Sequence, residues 1–111
     1  MTDAGVIGAD AIRGHIDLIV LAILDAEPSY AYALARTITE RAAGRYEMKQ
    51  TTLYTALKRL EQSGDLASFD QPSESGKPRT YYALTPQGRG TLAARREEWA
   101  RTRELVDHFA S

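Results

Sequence analysis

Advancing 100° per residue from Leu53 separates two sets of side chains between residues 50 and 62. Ala56, Leu57 and Leu60 fall within about 60° of Leu53, and Thr51, Thr55, Lys58, Arg59 and Gln62 fall on the far side. The far side is chemically apt for a DNA groove. Lys and Arg neutralise phosphates or donate to guanine, Gln bonds adenine, and Thr offers thymine a hydroxyl and a methyl. Tyr54 lies on the flank, where its hydroxyl can reach a phosphate. A solvated amphipathic helix carries the same pattern. The charge distribution and the segment that follows decide between these readings.

The 111 residues carry 14 basic and 15 acidic side chains, net −1. Taken alone, that balance speaks against a nucleic-acid binder. Its distribution reverses the inference. Residues 1–35 hold one basic and five acidic groups, net −4, whereas residues 36–60 hold six basic and two acidic, net +4. Residues 61–84 sum to −2 and residues 85–111 to +1. The positive charge is concentrated in the window holding the polar helix face, with Arg36, Arg41, Arg45 and Lys49 leading into it.

Other chemistries find little support. The chain has no cysteine, which removes disulfides, thiolate metal sites and a cysteine nucleophile, and which fits a reducing, cytoplasmic setting. His15 and His108 stand 93 residues apart with no ligand cluster beside either, so no metal site and no cofactor are expected. Neither has a nucleophile motif or a glycine-rich phosphate loop nearby. Glu97 and Glu98 sit beside arginines as on a solvated helix. These features argue against an enzyme. The longest apolar run, Leu18–Leu24, is seven residues, and a membrane span needs about 20.

One domain is expected from the length. Residues 1–10 have no period and read as a flexible arm. From Ala11, Ile12, Ile16, Ile19, Val20, Ile23 and Leu24 follow helical spacing until Glu27-Pro28-Ser29. The second helix is expected from Ser29, its cap, to about Ala43, with Tyr30, Leu34 and Ile38 on one face. The third starts between Lys49 and Thr51 and stops at Ser63-Gly64.

After Gly64 the period changes. Leu66–Phe69 and Arg79–Leu84 read as a β-hairpin, with the turn-rich stretch Gln71–Pro78 as a long polar tip. Of Tyr81 and Tyr82, one points inward and the other outward. Lys77 and Arg79 place basic groups where such a tip meets the DNA backbone or minor groove. Thr85 caps a final helix with Pro86 at its first position, running to about Phe109.

This order is mainly α with a small β component (α+β). It is a winged helix-turn-helix over residues 11–84, followed by a long C-terminal helix over 85–111. Lys49, Gln50, Thr51, Thr52, Tyr54, Thr55, Lys58 and Arg59, with Lys77 and Arg79, form the expected DNA-binding set.

Leu92, Trp99 and Val106 are spaced by seven, and Arg95, Thr102 and Phe109 take the other seam positions. The seam is an imperfect heptad suited to a partner helix. Leu92, Trp99, Val106 and Phe109 are the expected dimerisation residues. A symmetric dimer presents two reading helices about 34–36 Å apart to a palindromic operator. Trp99 is either plain interface packing or a stacking platform for a flat ligand, with Ile16, Asp17, Val20, Arg96 and Asp107 as candidate neighbours.

Several stretches then combine. Ser29-Tyr-Ala-Tyr-Ala-Leu34, Thr52-Leu-Tyr-Thr-Ala-Leu-Lys-Arg-Leu-Glu61, Ser63-Gly64, Pro78-Arg-Thr-Tyr-Tyr-Ala-Leu-Thr85 and Gly88 resemble, in that order, the PadR family of transcriptional regulators. The resemblance covers about residues 13–109, and the single C-terminal helix is similar to the family's smaller size class. It implies a winged-helix repressor that dimerises through its last helix, reads DNA with the third helix and wing, and sets Tyr54 near phosphate. It further implies, by similarity to multidrug-sensing short members, a planar aromatic effector between the protomers with Trp99 stacked on it. Two positions depart from the family pattern. Ala31 replaces a common Gly, which tightens packing, and Thr55 replaces a common Pro on the outward face, which alters base preference.

The competing expectation is a winged-helix module that binds protein without sequence-specific DNA recognition, supported by the acidic first 35 residues. Steep salt dependence of DNA binding separates the two.

Overall fold

The computed structural model describes residues 7–111. Residues 1–6 of the expected arm lie outside the described residues. The elements in chain order are α1 (Ala9–Ile12), a 3-10 turn (Arg13–His15), α2 (Ile16–Leu24), β1 (Ser29–Tyr30), α3 (Ala31–Ala42), α4 (Gln50–Gln62), β2 (Leu66–Pro72), β3 (Pro78–Leu84) and α5 (Pro86–Ala110).

The first helix is not continuous from Ala11. One α-turn precedes it, and the 3-10 turn over Arg13–His15 contains Gly14, a weak helix former at the break. Ser29 does not cap the second helix. It pairs with Tyr82, and Tyr30 with Tyr81, so both residues form an edge strand on β3. Extended Tyr30 (φ −113°, ψ 163°) then precedes the helix with no side-chain cap. Pairing with the sheet overrides the local capping preference of serine here.

The sheet is antiparallel in the order β1-β3-β2. Its hairpin is longer than the sequence suggests, because Asp70↔Thr80, Gln71↔Arg79 and Pro72↔Pro78 extend the pairing. Thr80 Oγ1 donates to Asp70 Oδ1 at 3.1 Å across the added rungs. The tip shrinks to residues 73–77, with Gly76 at φ +85°.

The core gathers α2 (Val20, Leu21, Leu24), α3 (Leu34, Ile38), α4 (Leu53, Leu57, Leu60), Leu66, Tyr82 and Leu92. Met48, in the connector before α4, is buried with them. Tyr82 is the inward tyrosine and Tyr81 the partly exposed one. Burying the four apolar positions of α4 fixes its rotation, so its polar side must face out.

The chain beyond the core is α5, 25 residues long and therefore about 37 Å. Thr85 caps it, its Oγ1 accepting from Gly88 N–H at 2.9 Å. Past Leu92 no residue of α5 is buried.

Candidate nucleic-acid interface

Gln50, Thr51, Tyr54, Thr55, Lys58, Arg59 and Gln62 are exposed on α4, while Leu53, Ala56, Leu57 and Leu60 on the other side are buried. Thr52 is half-buried. Lys49 takes the N-cap position with extended backbone, and its carbonyl accepts from Leu53 N–H at 3.1 Å. Tyr54 is 53% exposed, and Lys58 Nζ lies 5.5 Å from its ring centre. A phenol and a cation are thus held side by side on an outward face.

Beside the first turn of α4 runs a groove of about 520 Å³. Tyr32, Gln50, Thr51, Tyr54 and Thr80 line it, Tyr82 and Leu53 form part of its wall, and no acidic residue does. Burial raises the Tyr82 hydroxyl above its ordinary value, and nearby Tyr54 and Glu61 act in the same direction. That hydroxyl therefore stays a neutral donor.

The basic window of the sequence is divided in space. Lys49 and Lys58 stay on the reading side. Arg36 lies 3.8 Å from Glu40 one turn on, and Arg45 Nε donates to Ala42 O. Arg59 turns toward α2, where Nη2 donates to Asp17 Oδ1.

On the wing, Lys77 is exposed at the tip and Arg79 is half-buried. The Arg79 guanidinium carbon stands 4.0 Å over the Tyr30 ring. Tyr30, Tyr81 and Phe69 occupy one rung across the three strands, at 5.3 and 5.7 Å between ring centres. The sequence reading did not find this aromatic row. Its signal was the alternation along β3, which sends Arg79 and Tyr81 to one face.

The candidate ligand set is only partly assembled. Trp99 is 39% exposed and meets His15 edge-on at 4.7 Å, a neighbour the sequence reading missed. Asp17 is half-buried between Arg59 and Arg95, Ile16 is half-buried, and Arg96 and Asp107 are exposed. Val20 is a correction: it is fully buried in the core and offers a ligand no surface. Leu92 is a second correction. It is buried at 2% exposure in the chain's own core, so the first heptad position serves the protomer itself. Val106 and Phe109, by contrast, are 57% and 80% exposed, and Leu105 beside them is 60% exposed.

A buried-backed helix with an outward polar face, flanked by a hairpin wing, is the winged helix-turn-helix arrangement with which DNA-binding regulators meet the major groove. The chain belongs to the PadR-like family of transcriptional regulators, whose match spans residues 20–94. It is 32% identical over 101 residues to an uncharacterized protein from Lysinibacillus sphaericus, covering 91% of this chain and 93% of that one. A transcriptional regulator from Clostridium thermocellum is 37% identical, with a TM-score of 0.87 over 96% of this chain and all of that one. A PadR family transcription regulator from Clostridium difficile is 31% identical, with a TM-score of 0.76 over 88% of this chain and 100% of that one. The PadR family regulator from Eggerthella lenta is also 31% identical, with a TM-score of 0.82 over 92% and 87% of the two chains. No helix among the described residues is long and apolar enough to cross a membrane.

Proposed function

We propose that the protein is a cytoplasmic homodimeric repressor that binds a palindromic operator. Helix α4 enters the major groove, where Gln50, Thr51 and Thr55 meet base edges while Lys49, Thr52, Tyr54 and Lys58 hold phosphates. Lys77 and Arg79 of the wing touch the flanking backbone or minor groove. The observation that carries this reading is the polar face of α4, fixed outward by four buried apolar residues on its other side.

The dimer reading is supported by the outer half of α5. Trp99, Leu105, Val106 and Phe109 are exposed there, the last three by more than half of their surface. A partner's helix would bury them. Trp99 then lies near the seam between protomers, where a planar aromatic ligand can stack on it and release the operator.

Selecting duplexes from a random pool with the purified protein tests the central reading. The expected outcome is a palindrome with half-site centres about one helical turn apart. A pool that stays random after enrichment overturns it.

A further inference from the structure

Asp17 lies in the first turn of α2, and its side chain is only 16% exposed. Both of its oxygens face guanidinium groups. Arg59 Nη2, from the reading helix, donates to Oδ1, and Arg95 Nη2, from α5, lies 3.7 Å from Oδ2. Arg95 is also 3.9 Å from Glu98 on its own helix.

Arg59 belongs to the same outward surface as Thr55, Lys58 and Gln62, with which it lines a shallow depression. Lys58 is its chain neighbour, yet among the described residues no carboxylate lies within ion-pair distance of Lys58. Two adjacent cations on one face are therefore treated differently by the fold. A guanidinium presents the same fork of donors to a carboxylate as to a phosphate. Asp17 gives Arg59 internally what a DNA backbone would give it externally.

We infer that Asp17 withholds Arg59 from the DNA backbone and so sets the strength of backbone binding, leaving Lys58 as the phosphate contact of this part of α4. The inference rests on the proposed DNA-binding role of α4. Its physical basis is that non-specific affinity counts the cations reaching phosphate, whereas discrimination comes from base-edge contacts. Removing one cation from the backbone lowers binding to every sequence and leaves the contacts of Thr51 and Thr55 in place.

Salt titrations of binding to the selected operator and to a scrambled duplex test this. Each phosphate contact contributes about 0.9 to the slope of log affinity against log salt. Lys58→Gln is expected to reduce the slope by about that amount, and Arg59→Gln to leave it unchanged. Asp17→Asn is expected to steepen it by about 0.9 and to tighten binding to the scrambled duplex about threefold at low salt. The double variant Asp17→Asn/Arg59→Gln returns to the parental slope. Arg59→Gln breaks the Asp17–Arg59 pair and leaves the Arg95 contact in place, and thermal melting of each variant reports folding directly. A reduced slope in Arg59→Gln means that Arg59 already holds phosphate, which overturns the inference. A steepened slope that persists in the double variant assigns the effect to another cation and overturns it equally. An unchanged slope in Lys58→Gln, by contrast, shows that the reading face itself is misassigned, and the inference falls with it.

Discussion

Thr91 Oγ1, on the second turn of α5, donates a 2.7 Å hydrogen bond to Asp65 Oδ1 in the turn that follows the reading helix. Gln87 Nε2 donates to the same oxygen at 3.0 Å, and Ser63 Oγ reaches Oδ2 at 3.0 Å. The backbone repeats the connection: Asp65 N–H donates to Leu60 O, and Asp65 O accepts from Thr85 N–H. The end of α4 and the start of α5 are thus tied through one buried carboxylate.

Asp65→Asn is expected to destabilise the protein by about 1–3 kcal/mol, because a neutral amide cannot accept the same three bonds. Burial alone raises the Asp65 carboxyl, but the bonds from Thr91, Gln87 and Ser63 and the field of Arg95 outweigh it and hold it below its ordinary value of 3.8. A depressed folded value stabilises the fold above pH 3.8, and that contribution is lost as pH falls through the folded value. Melting temperatures across acid pH check this. The parent should lose stability on acidification more steeply than Asp65→Asn, and parallel curves would refute the assignment.

Gly88→Ala should be among the most damaging small changes. A Cβ there would collide with the Asp65 carbonyl oxygen and stand 2.8 Å from Leu84 Cδ1, and the carbonyl is backbone that cannot swing aside. A loss of about 1–3 kcal/mol or more is expected from overpacking at this contact. Gly90→Ala, two residues on, meets nothing within 4 Å and should instead gain about 0.5–1 kcal/mol from helix propensity. Thermal denaturation of the pair reads both signs in one experiment.

These joints mark where the sequence was legible and where it was not. The face of α4 could be read because its leucines and threonines separate at helical spacing within 13 residues. The same locality exposed the cap at Thr85. Arg59 sat on the polar side by that arithmetic, but its partner Asp17 is 42 residues away, and spacing along one helix says nothing of a carboxylate on another. The strand at Ser29–Tyr30 is two residues long, too short for any period, and exists only because β3 lies beside it. Leu92 fitted a heptad, and a heptad cannot tell a protomer's own core from its partner's.

The wing carries its own prediction. Arg79 over Tyr30 holds a basic group against a ring that is itself braced by Tyr81. Tyr30→Leu is expected to weaken operator binding about two- to fivefold, matching about 0.5–1 kcal/mol for an exposed cation–π contact. Arg79→Ala should weaken it at least as much, and the double variant should lose no more than Arg79→Ala alone. Tyr30→Phe keeps the ring and should retain affinity. Strictly additive losses in fluorescence-anisotropy titrations would show that the two residues act independently.

Trp99 is the chain's single tryptophan, so its fluorescence reports its surroundings directly. A planar aromatic dye or drug should quench that emission in a saturable manner. His15→Ala should shift the emission of the free protein, since the two ring centres are 4.7 Å apart. Absence of quenching across a chemically broad panel of planar compounds would remove the stacking role and leave Trp99 as packing.

The proposed dimer places its seam on the outer half of α5. Trp99, Val106 and Phe109 lie within an arc of about 80° on the helix, and Val106 and Phe109 are exposed in the single chain. Replacing these two with glutamate removes no core contact, because neither belongs to the buried cluster. Val106→Glu/Phe109→Glu should therefore keep the melting temperature of the DNA-binding domain while converting a dimer to a monomer in sedimentation velocity at micromolar concentration. Operator affinity should fall at least tenfold with it, since one reading helix replaces two on a palindrome. A variant that still sediments as a dimer would place the contact elsewhere on the chain. The buried Leu92 then serves as the opposite control, because Leu92→Ala opens a cavity in the protomer and should cost about 2–5 kcal/mol of folding stability.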